Sequence, residues 1–237
     1  MKKILISDAG ENSARVAYIY NALSQSLPAV LVRPEILVGQ SRSALVVEEQ
    51  NITPEISRTV QKIVTEVTAI GCKYGYLSRR LQLKKLTLRE RKIFICALIA
   101  ADLSADEKYI RARLQTFESC ALDGFFNFRL APLKRKWDKI IGYIPPDFSA
   151  AEMDRFMNYL VDGNTGRAYI RADEVYDGKY RLCRRGELVG ASDELRVETE
   201  ILLSGAGEVL VSHPLAEEPE LFLRKYYGAH AVFYGNF

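Results

Sequence analysis

Residues 109–141 read YIRARLQTFESCALDGFFNFRLAPLKRKWDKII. Apolar side chains fall at Ile110, Leu114, Phe117, Ala121, Phe125 and Phe128, stepping by four or three. That spacing places them on one face of a helix, so the stretch is expected to lie helical against a core. After Pro132 the pattern restarts with Leu133, Trp137, Ile140 and Ile141. The only Trp and four of the ten Phe sit here, making it the expected main source of buried aromatic area.

Upstream, the chain also reads as helices. Thr53-Pro54 is a helix start, with Thr as cap and Pro at the first position. Ile56, Val60, Ile63, Val64, Val67 and Ile70 form its inner face, and Tyr74, Leu77, Leu81 and Leu83 carry the period past Gly71 and Gly75. Thr87-Leu88-Arg89-Glu90 has the form of a capping box. The helix it opens is expected to end near Leu103, with Ser104-Ala105-Asp106-Glu107 capping the next. Downstream, Pro145-Pro146 must interrupt the helices. Ser149 with Glu152 then starts another, with Met153, Phe156, Met157, Leu160 and Val161 inward.

Both ends change texture. Residues 3–7 read as a short buried strand, 8–13 as a turn, and 14–27 as a helix; strands follow at 29–32, 36–38 and 43–48. At the other end a turn at 163–166 precedes a strand at 174–176. Asp177-Gly178 then predicts a hairpin onto a strand at 179–183. A segment at 195–203 that fits helix or strand, with helix preferred, a strand at 208–212, a helix at 217–227 and a strand at 231–234 complete the pattern. The reading is α+β: a central helical bundle flanked by mixed strand and helix segments. It divides the chain into 1–52, 53–171 and 172–237, with the two end segments able to share one sheet.

Composition narrows the function classes. Of the 237 residues 48% are hydrophobic and 27% charged, as in ordinary soluble globular proteins. A net charge of +3 does not by itself signal nucleic acid. The apolar run 4–6 stops at Ser7-Asp8, short of a signal peptide. The longest apolar run, 93–101, lies between Lys92 and Asp102 and is too short to span a bilayer. Cys72, Cys96, Cys120 and Cys183 form no CxxC pair, and His213 and His230 lie far from them. The expectation is a cytoplasmic protein with reduced thiols, no cofactor and no membrane contact.

Few residues point to chemistry. Asp8 ends the first strand, where α/β sheets place ligands, but a helix N-cap is the commoner role. Arg111, Arg113 and Arg129 are expected to pair with Glu107, Glu118 and Asp123. Cys120 with His213 or His230 has no spacing that favours a nucleophile and base, and core cysteines are usually inert. The strongest candidate is the most basic stretch, 79–92, RRLQLKKLTLRERK. Arg79, Arg80, Lys84, Lys85, Arg89, Arg91 and Lys92 stand there against one Glu, with Leu81, Leu83, Leu86 and Leu88 between them. It reads either as a solvated face or as a phosphate-contacting surface for nucleic acid or an acidic partner.

The run Leu122-Asp123-Gly124-Phe125-Phe126-Asn127-Phe128-Arg129-Leu130, with Leu133 and Trp137 behind it, resembles the YtxC-like sporulation proteins of endospore-forming bacteria. The resemblance implies a short α/β start, a helical centre with a Phe-x-Phe-Arg-like motif, and an α/β end. It implies a sporulation-linked role and carries no catalytic residue. The resulting expectation is a non-enzymatic binding or regulatory protein with a protein partner. The alternative is a nucleic-acid-binding protein using 79–92.

Overall fold

The first element, β1 (Lys2–Ala9), pairs antiparallel with β3 (Arg42–Glu49), which pairs antiparallel with β2 (Pro34–Val38). Helix α1 (Ser13–Ser26) lies between β1 and β2 in the chain. It buries Val16, Ile19 and Leu23, as β1 buries Ile4 and Ile6 and β3 buries Leu45 and Val47. These residues alternate along the strands and repeat at three or four along the helix, as packing of a helix on a sheet demands. The structure is a computed structural model and describes residues 2–26, 34–38, 41–49, 52–114, 119–212 and 214–234. The strand expected at 29–32 and the side chains of Phe117, Glu118 and His213 lie outside the described residues.

The chain is α+β, with two four-stranded sheets among the described residues. By contacts it divides into two units with interleaved segments: Met1–Lys73 with Leu103–Ile140, and Tyr74–Asp102 with Ile141–Phe237. The sequence reading of three consecutive segments thus differs from the contacts. The two chain ends also contribute to separate sheets rather than to one.

In the helical centre, α2 (Pro54–Glu66) starts as the sequence predicts, with Thr53 Oγ1 accepting from Ile56 N at 3.3 Å. A wide π turn (Val67–Cys72), buried at every residue, leads into α3 (Lys73–Arg80). Helix α4 spans Leu88–Arg113. Its capping box is present: Thr87 N donates to Glu90 Oε2 at 2.8 Å, and Glu90 N donates to Thr87 Oγ1 at 3.2 Å. No break occurs at 104–107. No Gly or Pro interrupts 88–113, and Asp106 turns inward to Lys73 instead of capping a new helix.

The helical face predicted over 109–141 holds among the described residues to Leu114 and is lost from Ser119. Residues Ser119–Ala121 form β4, which adds parallel to β1 with Cys120 opposite Ile6. One turn, α5 (Leu122–Gly124), runs into a π segment (Phe125–Arg129), where Phe128 is 82% exposed. An open edge of β1 captured the backbone, overriding the local helical period. Helix α6 (Ala131–Gly142) then buries Leu133 and Trp137, as expected.

The second sheet runs β6-β5-β7-β8. Helix α7 (Ala150–Gly163) opens with a complete capping box between Ser149 and Glu152. Strand β5 (Gly166–Arg171), absent from the sequence reading, turns through Ala172 (φ 50°) and Asp173 (φ 60°) into β6 (Glu174–Asp177). That is the twist a two-residue hairpin loop requires. Helix α8 (Arg196–Ser204) leads to β7 (Ala206–Val211), parallel to β5. Helix α9 (Glu217–Tyr226) crosses to β8 (Ala231–Phe233), parallel to β7. Gly207 is required in β7 because a Cβ there would meet Asn164 O at 2.0 Å. Among the described residues, no helix is long and apolar enough to cross a membrane.

Candidate functional site

The basic stretch divides into an outward half and an inward half. Leu83 and Leu86 are buried, at 3% and 2% exposure, and close a turn through Leu86 N to Leu83 O at 3.3 Å. With both ends of the turn anchored, Lys84 and Lys85 at its tip must face solvent, and both are exposed. Arg79 and Arg80, in the last turn of α3, are exposed too; Arg79 donates to Gly75 O at 2.8 Å, and Arg80 lies 4.4 Å from the Tyr76 ring centre. Lys85 has Asp147 at 3.6 Å, an exposed pair worth little.

Two of the remaining three cations, Arg89 and Arg91, serve the fold. Arg91 donates to Leu86 O at 2.9 Å and to Lys84 O at 3.4 Å, holding the turn in place. Arg89 bonds Glu198 and, at 3.0 Å, Glu218. Glu198 is fully buried, and burial raises its pKa above the ordinary carboxyl value. Lys92 is half-buried on α4. Arg79, Arg80, Lys84 and Lys85 are therefore the four whose charge faces outward.

A second feature of the same unit is the open face of its sheet. Burial alternates along the strands: Ala168, Ile170, Val175, Val209 and Val211 are buried, whereas Arg167, Tyr169, Arg171, Tyr176 and Leu210 are not. Helices α7 and α8 pack on the buried side. Across the open side the register aligns Tyr176, Tyr169, Leu210 and Val232 in one row over all four strands. Arg167 and Arg171 flank Tyr169 on β5, and Arg167 meets Glu208 at 2.6 Å.

Tyr180 completes this row from a loop. The predicted hairpin at Asp177-Gly178 forms, but its second arm is short: Tyr176 bridges Leu182, Asp177 N donates to Arg181 O at 2.9 Å, and Cys183 N donates to Val175 O at 2.8 Å. The three-residue loop ends on Tyr180 at φ 57°. Such loops place a left-handed residue there, usually Gly. A tyrosine in that conformation costs roughly 1 kcal/mol. Its ring stacks on Tyr169 with centres 4.3 Å apart and planes 23° off parallel, yet Tyr180 remains 70% exposed. Hydrogen bonds from Tyr180 and Arg167 hold the Tyr169 hydroxyl below the ordinary phenol range. Nothing in the composition of 166–183 marks this arrangement. The alternation Arg167, Tyr169, Arg171 was the available signal, and the φ of Tyr180 had none.

The other candidates are internally satisfied. Asp8 is buried and accepts from Ala9 N at 2.8 Å, Asn12 Nδ2 at 3.3 Å and Arg15 Nη1 at 3.2 Å, so it locks the strand end rather than capping α1. Asp123 pairs bidentately with Arg42, at 2.7 and 3.1 Å, and that guanidinium holds its carboxyl below the usual range. Arg129 is exposed, and Arg113 stacks on Tyr109 at 4.0 Å. Burial pushes the Cys120 and Cys96 thiols up to about 12, so both stay protonated and unreactive near neutrality. His230 is exposed, 3.6 Å from Asp162. No group of His, Cys, Asp and Glu among the described residues is arranged to hold a metal ion. Compared with known proteins, the chain matches no family, no curated protein and no solved structure.

Proposed function

We propose that this protein is a non-enzymatic binding protein whose ligand is nucleic acid. The observation that carries the reading is the cluster Arg79, Arg80, Lys84 and Lys85. The fold buries the leucines on either side of the lysines and ties the backbone of the turn to Arg91, so the cations project outward from a held turn. Exposed cations that meet phosphates draw their binding energy from release of counterions. A sporulation-linked regulatory role rests on the resemblance of 122–130 and is compatible with nucleic acid as the ligand.

The test is a titration against a ten-nucleotide single strand and a matching duplex at several salt concentrations. A variant with Arg79, Arg80, Lys84 and Lys85 changed to Ala is run beside the wild type. Each phosphate contact contributes about 0.7 to the slope of log affinity against log salt for single strands. The variant is expected to lose roughly 3 from that slope if all four cations engage. Equal slopes for both proteins refute the assignment of these four residues.

A further inference from the structure

We propose that Tyr180 and Tyr169 form a stacking site for an unpaired base, so that the ligand is single-stranded nucleic acid. This rests on the reading of the protein as a nucleic-acid binder and names the form of the ligand. Tyr180 occupies a loop position where glycine would sit without strain, and its ring is held flat on Tyr169 with its outer face open. A structural role does not account for it: the ring covers no core, and the loop is already closed by Asp177, whose Oδ1 accepts from Lys179 N at 2.8 Å and Arg181 N at 3.0 Å. An exposed aromatic ring pinned parallel to a second ring presents the π-face on which bases stack.

Charge around the row fits a phosphate backbone. Four cations, Arg167, Arg171, Lys179 and Arg181, lie on β5 and the loop, of which Arg167 pairs with Glu208 at 2.6 Å and Arg181 with Asp177 at 2.8 Å. Of the carboxylates on these strands and loops, Asp177 is turned into its own loop, Glu208 is engaged by Arg167, and Glu174 accepts from the Tyr176 hydroxyl at 2.6 Å. Arg171 stands on the open face beside Tyr169, one pleat along β5. The row spans four strands, from Tyr176 to Val232, and Tyr180 lies on it over Tyr169, so the face presented to a base is the outer face of Tyr180. A duplex buries its base faces within its own stack and offers none to Tyr180, so the site discriminates by strandedness rather than by sequence.

The experiment compares wild type, Tyr180→Gly and Tyr180→Phe in binding ten-nucleotide oligouridylate, oligothymidylate and a mixed duplex, with thermal unfolding measured on each protein. Tyr180→Gly removes the ring at a position that favours glycine. Its unfolding temperature is expected to hold or rise while single-strand affinity drops roughly 10- to 100-fold and duplex affinity stays unchanged. Tyr180→Phe, which keeps the π-face, is expected to bind single strands within about threefold of wild type. Single-strand binding by Tyr180→Gly equal to wild type overturns the stacking site while leaving the four-cation reading to its own salt slope. Equal loss of single-strand and duplex binding overturns it as well, since the ring would then act through loop shape. Binding of a polyglutamate peptide with no oligonucleotide bound at low salt overturns both readings in favour of an acidic protein partner.

Discussion

Asp106→Ala is expected to destabilise the protein by about 3–5 kcal/mol in denaturant unfolding. Asp106 is fully buried on α4 and accepts from Lys73 Nζ at 2.7 Å and from Trp137 Nε1 at 2.9 Å. Lys73 is itself 1% exposed, with its ammonium 5.5 Å from the Trp137 ring centre. Removing the carboxylate takes away the oxygen that faces the buried Lys73 ammonium at 2.7 Å and the Trp137 indole N–H at 2.9 Å. Lys136, at 3.4 Å and 44% exposed, keeps most of its hydration and contributes little. The double variant Lys73→Met with Asp106→Leu is expected to recover most of the loss, because an apolar pair of similar volume avoids the desolvation that the ions carry. A single variant as stable as wild type would mean that water reaches Lys73 in solution.

Glu200 gives a pH dependence of defined sign. Burial pushes its pKa up to about 7 from 4.5, although the N–H groups of Arg185 and Gly186 donate to it at 2.8 and 2.7 Å and pull the other way. Between about pH 4.5 and 7 the folded protein keeps a proton that the unfolded chain has released. Stability contributed by this group is therefore full below pH 4.5, falls as pH rises through that window, and is flat above it. The total is about 3 kcal/mol, since a tenfold difference in proton affinity between the folded and unfolded chains corresponds to roughly 1.4 kcal/mol. Glu200→Gln cannot titrate. Its stability is expected to carry a small constant offset from a lost N–H acceptor but to lack this decline, so that the wild-type curve falls by about 3 kcal/mol relative to the variant curve between pH 4.5 and 8. Parallel curves from pH 4.5 to 8 would contradict the assignment.

What the sequence made legible was local. Thr53, the Thr87–Glu90 box and the Ser149–Glu152 box all formed, because a cap depends on residues within one turn. The strand–helix–strand order after Gly207 was readable for the same reason, whereas 195–203 fitted helix and strand alike and folds as α8. Pairings between distant segments were not. Ser119–Ala121 fits a helical period and becomes a strand only because the edge of β1 lies beside it. The 104–107 cap failed because Asp106 has a partner 33 residues away in Lys73. The same limit applies to the candidate site. The seven cations of 79–92 were visible as charge, but only the burial of Leu83 and Leu86 and the pairing of Arg89 with Glu198 separate four exposed cations from three half-buried ones. Tyr169 and Tyr180 are eleven positions apart, and only the left-handed backbone at Tyr180 brings the rings together.

The measurement that tests the central claim most directly is photo-crosslinking of wild-type protein to a ten-nucleotide RNA containing 4-thiouridine, followed by peptide mapping. The account predicts adducts on peptides containing Tyr169 and Tyr180, reduced by competing unlabelled single strand and not by duplex. Adducts confined to other segments, or none under conditions where the oligonucleotide binds, would contradict it.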